Sequence, residues 1–295
     1  MTKPNIAIIS AGEMGASVAA AYTHAGYTIT TILADRSPET LSRAHQAQMQ
    51  DRPNLKSLLT DCDIFLSIVP PALATELATQ VAAQAKASNV AFSFVECNAI
   101  SPDHSNAIAS LFSDTNVKFI DAGIIGGPPR VAVNQPYLPC LYVSGATCPQ
   151  LNQTDGVAFR IKQLGDEIGR ASGMKMSYAA ITKGINSLLA GAFLTAENLG
   201  LLDELIAELS ESQNELFTRA TSNIQRLPAD AGRWAPEMRE IAQTFQSVGV
   251  PNGFHLAAAE MMQILDASPF GNETRKTRDT SRSAKQTIQG LTPHK

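Results

Sequence analysis

Short apolar runs alternate with longer segments of helical periodicity over the first half of the chain. The apolar runs predict strands at residues 5–9, 28–33, 64–69, 90–95 and 118–121. The segments between them predict helices at residues 12–25, 38–50, 71–87 and 102–113. Strands and helices in this order are typical of a doubly wound parallel sheet, and two further apolar runs, at 139–143 and 157–164, extend it.

The second half of the chain follows a helical pattern only. Apolar residues recur at helical spacing from Met174 to about Ser212, and similar patterns follow at 235–247 and 253–267. We therefore predict an α/β domain over residues 1–169 and an all-α domain over residues 170–295. The segment from Gly271 onward is polar and net basic, which fits either a frayed end or a segment that packs on a partner.

Composition narrows the class of protein. The 295 residues are 44% hydrophobic and 17% charged, with a net charge of −4, which is typical of a globular chain and argues against a general nucleic-acid surface. Because no apolar stretch has the length that we expect of a membrane span, and the N-terminus lacks the form of a signal peptide, we predict no membrane partner. Four cysteines without paired spacing indicate reduced thiols and a cytoplasmic protein.

The turn after the first predicted strand carries the most informative motif. Residues 6–15 read IAIISAGEMG, so an apolar run ends in a glycine-containing turn and a helix follows. Gly12 lets the backbone approach a pyrophosphate, and Gly15 lets the helix pack close to the strand. Ser10 replaces the usual first glycine, which requires ordinary backbone angles there. The motif predicts dinucleotide binding by Ala11, Gly12, Glu13, Met14 and Gly15, and the alternative is a strand–helix turn without a ligand.

The second apolar run ends in residues that distinguish the two nicotinamide coenzymes. Asp35 follows Gly15 by 20 residues, where an acidic side chain holds a ribose diol and repels a 2′-phosphate, which favours NAD. Arg36 and Ser37 are a cation and a hydroxyl that suit that phosphate, which favours NADP. We predict NADP as the coenzyme because the two are adjacent, with NAD as the alternative.

Motifs for other chemistry are missing from the sequence. The five histidines are scattered, and we find no phosphate-loop lysine, no metal-spaced His/Cys pair and no serine nucleophile elbow. We predict no metal site. His255 either reaches an active site or serves as a capping or core residue.

Seven blocks of sequence, in this order, resemble one known family. The blocks are AGEMG (11–15), SIVPP (67–71), ECNAISP (96–102), FIDAGIIGG (119–127), GMKMSYAA (173–180), WAPEMREIAQTF (234–245) and GFHLAAAE (253–260). They are similar to the β-hydroxyacid dehydrogenase / 6-phosphogluconate dehydrogenase-like superfamily, in particular to the branch with a phosphogluconate dehydrogenase-like C-terminal domain. The resemblance covers roughly residues 5–268. It implies a Rossmann domain that binds NAD or NADP, and a helical domain that forms a homodimer.

The resemblance also implies a reaction, in which a small hydroxy acid is oxidised or the corresponding carbonyl is reduced. Lys175 matches the family's catalytic lysine. A lysine suits this role because burial and a nearby nicotinamide cation lower its pKa toward neutrality, so that it can exchange the substrate proton. Tyr178 and Thr182 fall on the same helix face and are predicted to bind substrate, with Tyr178 assisting the proton transfer. Lys183 either binds an anionic group or lies in solvent.

Five further positions match the family's nicotinamide and substrate contacts. Val69 and Pro70 form the turn beside the nicotinamide, and Asn98 replaces a serine or threonine that faces both coenzyme and substrate. Gly126 and Gly127 match paired glycines whose N–H groups meet a substrate carboxylate. Ile125 replaces the serine that normally precedes them, and Arg130 either restores anion binding or lies at the surface.

Departures from the family pattern leave other functions open. Tyr178 stands where sugar-acid members carry histidine and Ala179 where they carry asparagine, which argues against 6-phosphogluconate as the substrate. The apolar changes at Ile125 and Ala179 suit an imine reductase, although such enzymes usually replace Lys175. The serine at position 10 also suits a dinucleotide sensor without catalytic activity.

Overall fold

A computed structural model describes residues 2–131 and 136–291 of the chain. The chain divides into two compact units, Met1–Met176 and Ser177–Lys295. The first unit contains a mostly parallel sheet with helices, and the second is helical, which confirms the predicted fold class.

The first unit is organised around one eight-stranded sheet in the order β3-β2-β1-β4-β5-β6-β7-β8. Its strands are β1 Ile6–Ile8, β2 Ile29–Thr31, β3 Gln50–Asp51, β4 Ile64–Ser67, β5 Ser93–Glu96, β6 Lys118–Ile125, β7 Cys140–Gly145 and β8 Arg160–Gln163. All neighbouring pairs are parallel except β6 with β7. The order of the first six strands is that of a doubly wound, dinucleotide-binding sheet.

Helices cover both faces of this sheet. They are α1 Glu13–His24, α2 Pro38–Gln46, α3 Leu55–Thr60, α4 Ala74–Ser88, α5 Pro102–Ser110 and α6 Pro149–Asn152, with a 3-10 turn at Pro71–Leu73 before α4. Alternate residues of a strand enter opposite cores: Ile64 and Leu66 pack with α1, whereas Phe65 packs with α4 and stacks on Phe94 at a centroid distance of 5.2 Å. Burial on both faces explains why the strands are continuous apolar runs in the sequence.

The elements that periodicity misses are short or polar. β3 is two exposed residues, and α3 and α6 are six and four residues long, so none of them carries a recognisable period. The predicted strand at 118–121 covers only the part of β6 that pairs with β5 in the parallel direction. β6 continues to Ile125 because its second half pairs with β7 in the antiparallel direction.

The second unit is built from long helices. They are α7 Arg170–Leu199, whose first seven residues belong to the first unit, α8 Leu202–Ser212, α9 Asn214–Ile224, α10 Leu227–Ser247, α11 Gly253–Asp266 and α12 Ala284–Leu291. The helical pattern from Met174 to Ser212 is therefore two helices, which Gly200 separates with a φ of 72°. α9 and α12 were not predicted because their apolar residues are few.

One helix meets the length and composition of a membrane span, contrary to our expectation from the sequence. α7 has 30 residues and a mean hydropathy of 1.2 over its most apolar stretch, of which 39% is buried. The core helix of a globular protein satisfies the same criteria, so this property alone is weak evidence for a membrane.

The basic C-terminal segment packs on the helical unit as far as it is described. Arg282 forms two 2.7 Å hydrogen bonds with the carboxylate of Glu273, and its guanidinium lies 3.7 Å from the ring centre of Phe270. Ile288 and Leu291 of α12 are buried. The frayed-end alternative is therefore wrong for residues 271–291.

Candidate coenzyme and catalytic site

The sheet places the candidate site where the chain reverses its direction of winding. From β1 the chain adds β2 and β3 on one side and then returns to add β4 on the other side of β1. In open α/β sheets, ligands bind in the crevice at the carboxyl ends of the strands at such a point. The turn after β1 lies here, and so do the residues that follow β4.

Two glycines of the turn after β1 have different roles. A Cβ on Gly15 would lie 2.1 Å from the carbonyl oxygen of Ser10, so only glycine allows α1 to approach β1 this closely. A Cβ on Gly12 would meet only the Ser10 hydroxyl, at 3.8 Å, so the space beside Gly12 is open to a ligand. Gly12 also begins α1 with no side chain capping it, which leaves the positive end of the helix available for a phosphate.

The other residues of this turn also fit a bound dinucleotide. Ser10 does not adopt a positive φ, so it makes the turn with ordinary backbone angles. Ala11 is buried, and Met14 packs against the same apolar core, so both shape the turn. Glu13 is exposed in the first turn of α1.

We expect alanine at the two glycines to lower the free energy of unfolding by different amounts. Gly15→Ala forces α1 away from β1 and should lower the free energy of unfolding by about 3 kcal/mol, the upper range for an overpacked site. Gly12→Ala places its methyl group in open space and should cost about 1 kcal/mol or less. Urea unfolding followed by far-UV circular dichroism measures both, and equal stability of the two variants would contradict the assigned packing.

The residues after β2 lie at the surface of the same unit. Asp35 is exposed and has a φ of 59°, a left-handed conformation that aspartate tolerates. The Arg36 guanidinium donates to the carbonyl oxygen of Ile9, at the end of β1, over 3.5 Å. Ser37 caps α2 by accepting a hydrogen bond from the Thr40 amide at 3.3 Å. Arg36 therefore reaches back to the turn that the sequence assigns to the dinucleotide.

Asn98 fastens the ends of β4 and β5 together. Its side-chain oxygen accepts from the Val69 amide at 2.7 Å, and its side-chain nitrogen donates to the Ser67 hydroxyl at 2.9 Å. It is only 3% exposed, so in this structure the amide holds the turn of Val69 and Pro70 in place. Pro70 itself is exposed, and a coenzyme contact by these residues stays a prediction.

Glu96 is a buried acid beside this cluster that the sequence analysis did not single out. Burial raises the pKa of Glu96 to about 8. Hydrogen bonds from the backbone N–H of Asn98 and from the Ser67 hydroxyl oppose this rise. The folded protein therefore holds a proton here that the unfolded chain releases at pH values above about 4.5.

This proton predicts a particular pH dependence of stability. The folded pKa is raised, so the contribution of Glu96 is fully present below the unfolded pKa and is lost as pH rises to about 8. The free energy of unfolding of the native chain should fall by up to about 1.4 kcal/mol per pH unit relative to Glu96→Gln. Unfolding of both proteins at pH 5 to 9 measures the difference, and a difference that does not change with pH would contradict it.

Asp121 joins the sheet to the start of α7. The carboxylate accepts hydrogen bonds from the backbone amides of Gly169, Ala171 and Ser172, at 2.9 to 3.0 Å. Three serine hydroxyls also donate to it, those of Ser105, Ser144 and Ser172. A carboxylate at a helix N-terminus is favourable because it satisfies donors that have no partner within the helix.

Two residues further along β6, Gly123 allows α7 to lie directly against the strand. A Cβ on Gly123 would come within 2.8 Å of both the Ala171 carbonyl oxygen and the Cβ of Lys175. Lys175, half-buried, donates from Nζ to the Ile124 carbonyl oxygen at 2.7 Å. Asp121 and Gly123 thus position Lys175 beside the carboxyl-terminal half of β6.

Tyr137 contacts the paired glycines that follow β6, and the sequence analysis did not identify it. Gly126 has a φ of 126°, and a Cβ there would come within 2.2 Å of the Tyr137 hydroxyl. The Gly127 amide donates to that hydroxyl at 3.3 Å. Arg130 lies over the ring of Tyr137, 5.2 Å from its centre, and is exposed. Binding of a substrate carboxylate by the two glycines stays a prediction.

The remaining predicted residues belong to the helical unit. Tyr178 is 44% exposed, and the Thr182 hydroxyl donates to the Tyr178 carbonyl oxygen at 3.0 Å. Lys183 is not in solvent, because it forms a buried ion pair with Glu237 and lies 5.1 Å from the ring centre of Trp234.

His255 and the cysteines have structural surroundings. His255 is buried against Phe245, with ring centres 4.5 Å apart, and burial lowers its pKa, so it has the predicted core role. The four cysteines are all buried and free. No group of three or more potential metal ligands occurs within residues 2–131 and 136–291.

The strand order, the uncapped helix and the open space at Gly12 are together typical of a dinucleotide-binding domain. Residues 5–136 match the NAD binding domain of 6-phosphogluconate dehydrogenase, and residues 196–265 match a domain of unknown function, DUF1932. Both matches agree with the resemblance of the seven blocks of sequence to the 6-phosphogluconate dehydrogenase-like superfamily.

Individual relatives agree with this assignment. An uncharacterized 28.5 kDa protein of Methanothermus fervidus is 27% identical over 189 residues, which cover 64% of this chain and 70% of that protein. L-threonate dehydrogenase of Cupriavidus necator is 26% identical over 193 residues, or 65% of this chain and 62% of the enzyme. The structure of 3-hydroxyisobutyrate dehydrogenase of Mycobacterium tuberculosis with L-serine shares the fold, with a TM-score of 0.68 at 17% identity over 98% and 99% of the two chains. The comparisons support an oxidoreductase of the 3-hydroxyacid dehydrogenase-like class.

Proposed function

We propose that the protein is an NAD(P)-dependent oxidoreductase that acts on a small hydroxy acid or on the corresponding carbonyl compound. The observation that carries this proposal is the placement of Lys175. Its helix is fixed to β6 by Asp121 and Gly123, within the same unit that opens at Gly12. The names of the relatives, which include a threonate dehydrogenase, favour a hydroxy acid as the substrate class.

In this proposal each residue has a defined task. When bound, the nicotinamide supplies the acceptor or donor of the hydride. Gly12 and the N-terminus of α1 hold the pyrophosphate, and Asn98 keeps the turn at Val69 rigid beside the ring. Lys175 Nζ removes the hydroxyl proton during oxidation and returns it during reduction, with the Ile124 carbonyl orienting it. Tyr178 and Thr182 orient the substrate.

A substrate panel tests the reaction. For oxidation, purified protein is mixed with hydroxy acids and either NAD or NADP. For reduction, it is mixed with keto acids, ketones or cyclic imines and either reduced coenzyme. Absorbance of the reduced nicotinamide is recorded in both cases. Turnover of a hydroxy acid or keto acid supports the proposal. Turnover confined to cyclic imines would favour the imine reductase, and coenzyme binding without any turnover would favour a sensor.

The coenzyme preference that we propose is NADP. Arg36 is exposed and extends to the end of β1, which places a cation beside the predicted ribose position. Arg36→Ala should weaken NADPH binding by about tenfold or more and NADH binding by less than about threefold. Fluorescence titration of the reduced coenzymes measures both constants, with Arg43→Ala on α2 as the control. Tighter binding of NADH than of NADPH by the native protein would contradict the preference.

We also propose that the helical unit forms a homodimer. Ile181 and Leu188 on α7 are each 70% exposed, and Phe254 on α11 is 80% exposed. Large apolar side chains with this degree of exposure are typical of a protein interface. Light scattering on a sizing column should give the mass of two chains and a lower mass for Leu188→Lys. Gln80→Lys, at an exposed position of α4 in the first unit, is the control. A monomeric native protein would contradict the proposal.

A further inference from the structure

A large polar cavity lies entirely within the helical unit. Its volume is about 1070 Å³, which suits a small organic molecule. Residues of α7, α9 and α10 and of the segment after α11 line it. The charged side chains of this lining are Arg219, Arg226, Arg275, Arg278, Glu215 and Asp230.

One complete face of α9 contributes to the cavity. The lining residues of this helix and its end follow each other at intervals of three and four, which places them on one side. They are Asn214, Glu215, Thr218, Arg219, Ser222, Asn223 and Arg226. Ala220 and Ile224, on the other side of the helix, are buried. The helix is therefore amphipathic, and the polar side faces the cavity.

A chain of hydrogen bonds fixes the wall between α7 and α9. Asn186, which is 7% exposed, donates to the Thr182 carbonyl oxygen at 3.0 Å and accepts from the Asn223 amide group at 2.9 Å. The Arg226 guanidinium in turn donates to the side-chain oxygen of Asn223. Because this chain of side-chain amides determines the position of Arg226, part of the entropic cost of ordering this side chain is met before a ligand binds.

The charge of the cavity is opposite in sign to that of the chain. Four arginines and two carboxylates line it, a balance of +2, whereas the whole chain carries −4. Asp230 is already neutralised by hydrogen bonds from Arg233 at 2.6 Å and Arg275 at 3.0 Å. The three positive charges of Arg219, Arg226 and Arg278 therefore outnumber the one remaining negative charge, that of Glu215.

We propose that this cavity binds a small organic polyanion, a molecule with two or more carboxylate or phosphate groups. Guanidinium groups bind such anions through paired N–H donors. The arginines stand on two walls, with Arg219 and Arg226 at α9 and Arg278 on the C-terminal segment, which suits anionic groups at both ends of one molecule. Hydroxyl groups such as those of Thr218 and Ser222 complement the polar middle of the ligand. The site requires neither a coenzyme nor Lys175.

The only tryptophan of the chain reports on this cavity directly. Trp234 lines it, so ligand binding changes an emission that has a single source. The full chain is titrated separately with citrate and with inorganic pyrophosphate at constant ionic strength. We expect a saturable change with at least one probe, and an affinity about tenfold weaker or more in Arg226→Gln and in Arg278→Gln. Arg239→Gln, at an exposed position of α10 outside the cavity, is the matched control and should bind normally.

Several outcomes would overturn the inference. The first is a native protein whose emission shows no saturation up to about 10 mM of either probe. The second is equal affinity of the native and variant chains for a probe. The third is light scattering that shows the arginines holding two chains together while no probe binds. Arg219→Gln provides a further test if Arg226→Gln unfolds, which circular dichroism shows. NADPH binding should be the same in all variants, so a failure of the proposed coenzyme function is distinguished from a failure of the polyanion site.

Discussion

Lys175→Met should lower kcat by about a thousandfold, within the range of general acid–base catalysis. Methionine keeps the length of the side chain but cannot exchange a proton. The helix start is held by Asp121 and not by the lysine, so the variant should fold and bind coenzyme normally. Turnover of the substrate that the panel identifies and a parallel NADPH titration measure both quantities.

A matched control separates this effect from a general loss of positive charge. Lys118 is the first residue of β6 and is exposed, so Lys118→Met should retain native turnover. A Lys175→Met variant with native kcat would show that the proton passes through another group. Reduced coenzyme binding equal to the loss of turnover would indicate a structural role instead.

Asp121→Ala should lower the free energy of unfolding by about 3 to 5 kcal/mol, the second large effect that we expect. The substitution removes an acceptor shared by three backbone amides at the start of α7 and three serine hydroxyls, of which the Ala171 amide also donates to the Ser144 hydroxyl. Each unsatisfied buried donor costs about 1 to 3 kcal/mol before relaxation. Asp121→Asn retains one acceptor oxygen and should lose less.

Urea unfolding followed by far-UV circular dichroism measures this loss in the first unit. Trp234 belongs to the second unit, so its fluorescence reports there and serves as an internal comparison. Asp166→Ala removes an exposed carboxylate in the turn before α7 and should change stability by less than about 0.5 kcal/mol. An Asp121→Ala chain as stable as Asp166→Ala would show that the carboxylate does not hold the helix.

The sequence predicts the sheet and the dinucleotide turn well because both depend on local patterns. Strands that are buried on both faces are continuous apolar runs, and the distances from Gly12 to Gly15 and on to Asp35 are fixed by one βαβ unit. Gly15 is confirmed as a packing glycine by the closeness of the Ser10 carbonyl. The expected ordinary backbone of Ser10 is confirmed as well.

Contacts between distant parts of the chain were not predictable in this way. Asp121 meets residues 48 to 51 positions later, and Tyr137 contacts Gly127, 10 positions earlier. Burial raises the pKa of Glu96 only because β4, β5 and β6 enclose it, which no local pattern records. An aspartate inside an apolar strand, as in FIDAGII, was the available signal for Asp121. The ion pair of Lys183 was not predicted because Glu237 is 54 residues away in the sequence.

Titration of NADPH against the native chain and Gly12→Ala, followed by nicotinamide fluorescence, tests the central claim most directly. The account predicts saturable binding by the native protein and an affinity about tenfold weaker or more in Gly12→Ala, with its melting temperature nearly unchanged. The same titration with NADH shows whether the other coenzyme behaves alike. Absence of saturable binding of both coenzymes to the native chain, or equal binding by the two proteins, would contradict the placement of the dinucleotide at this turn.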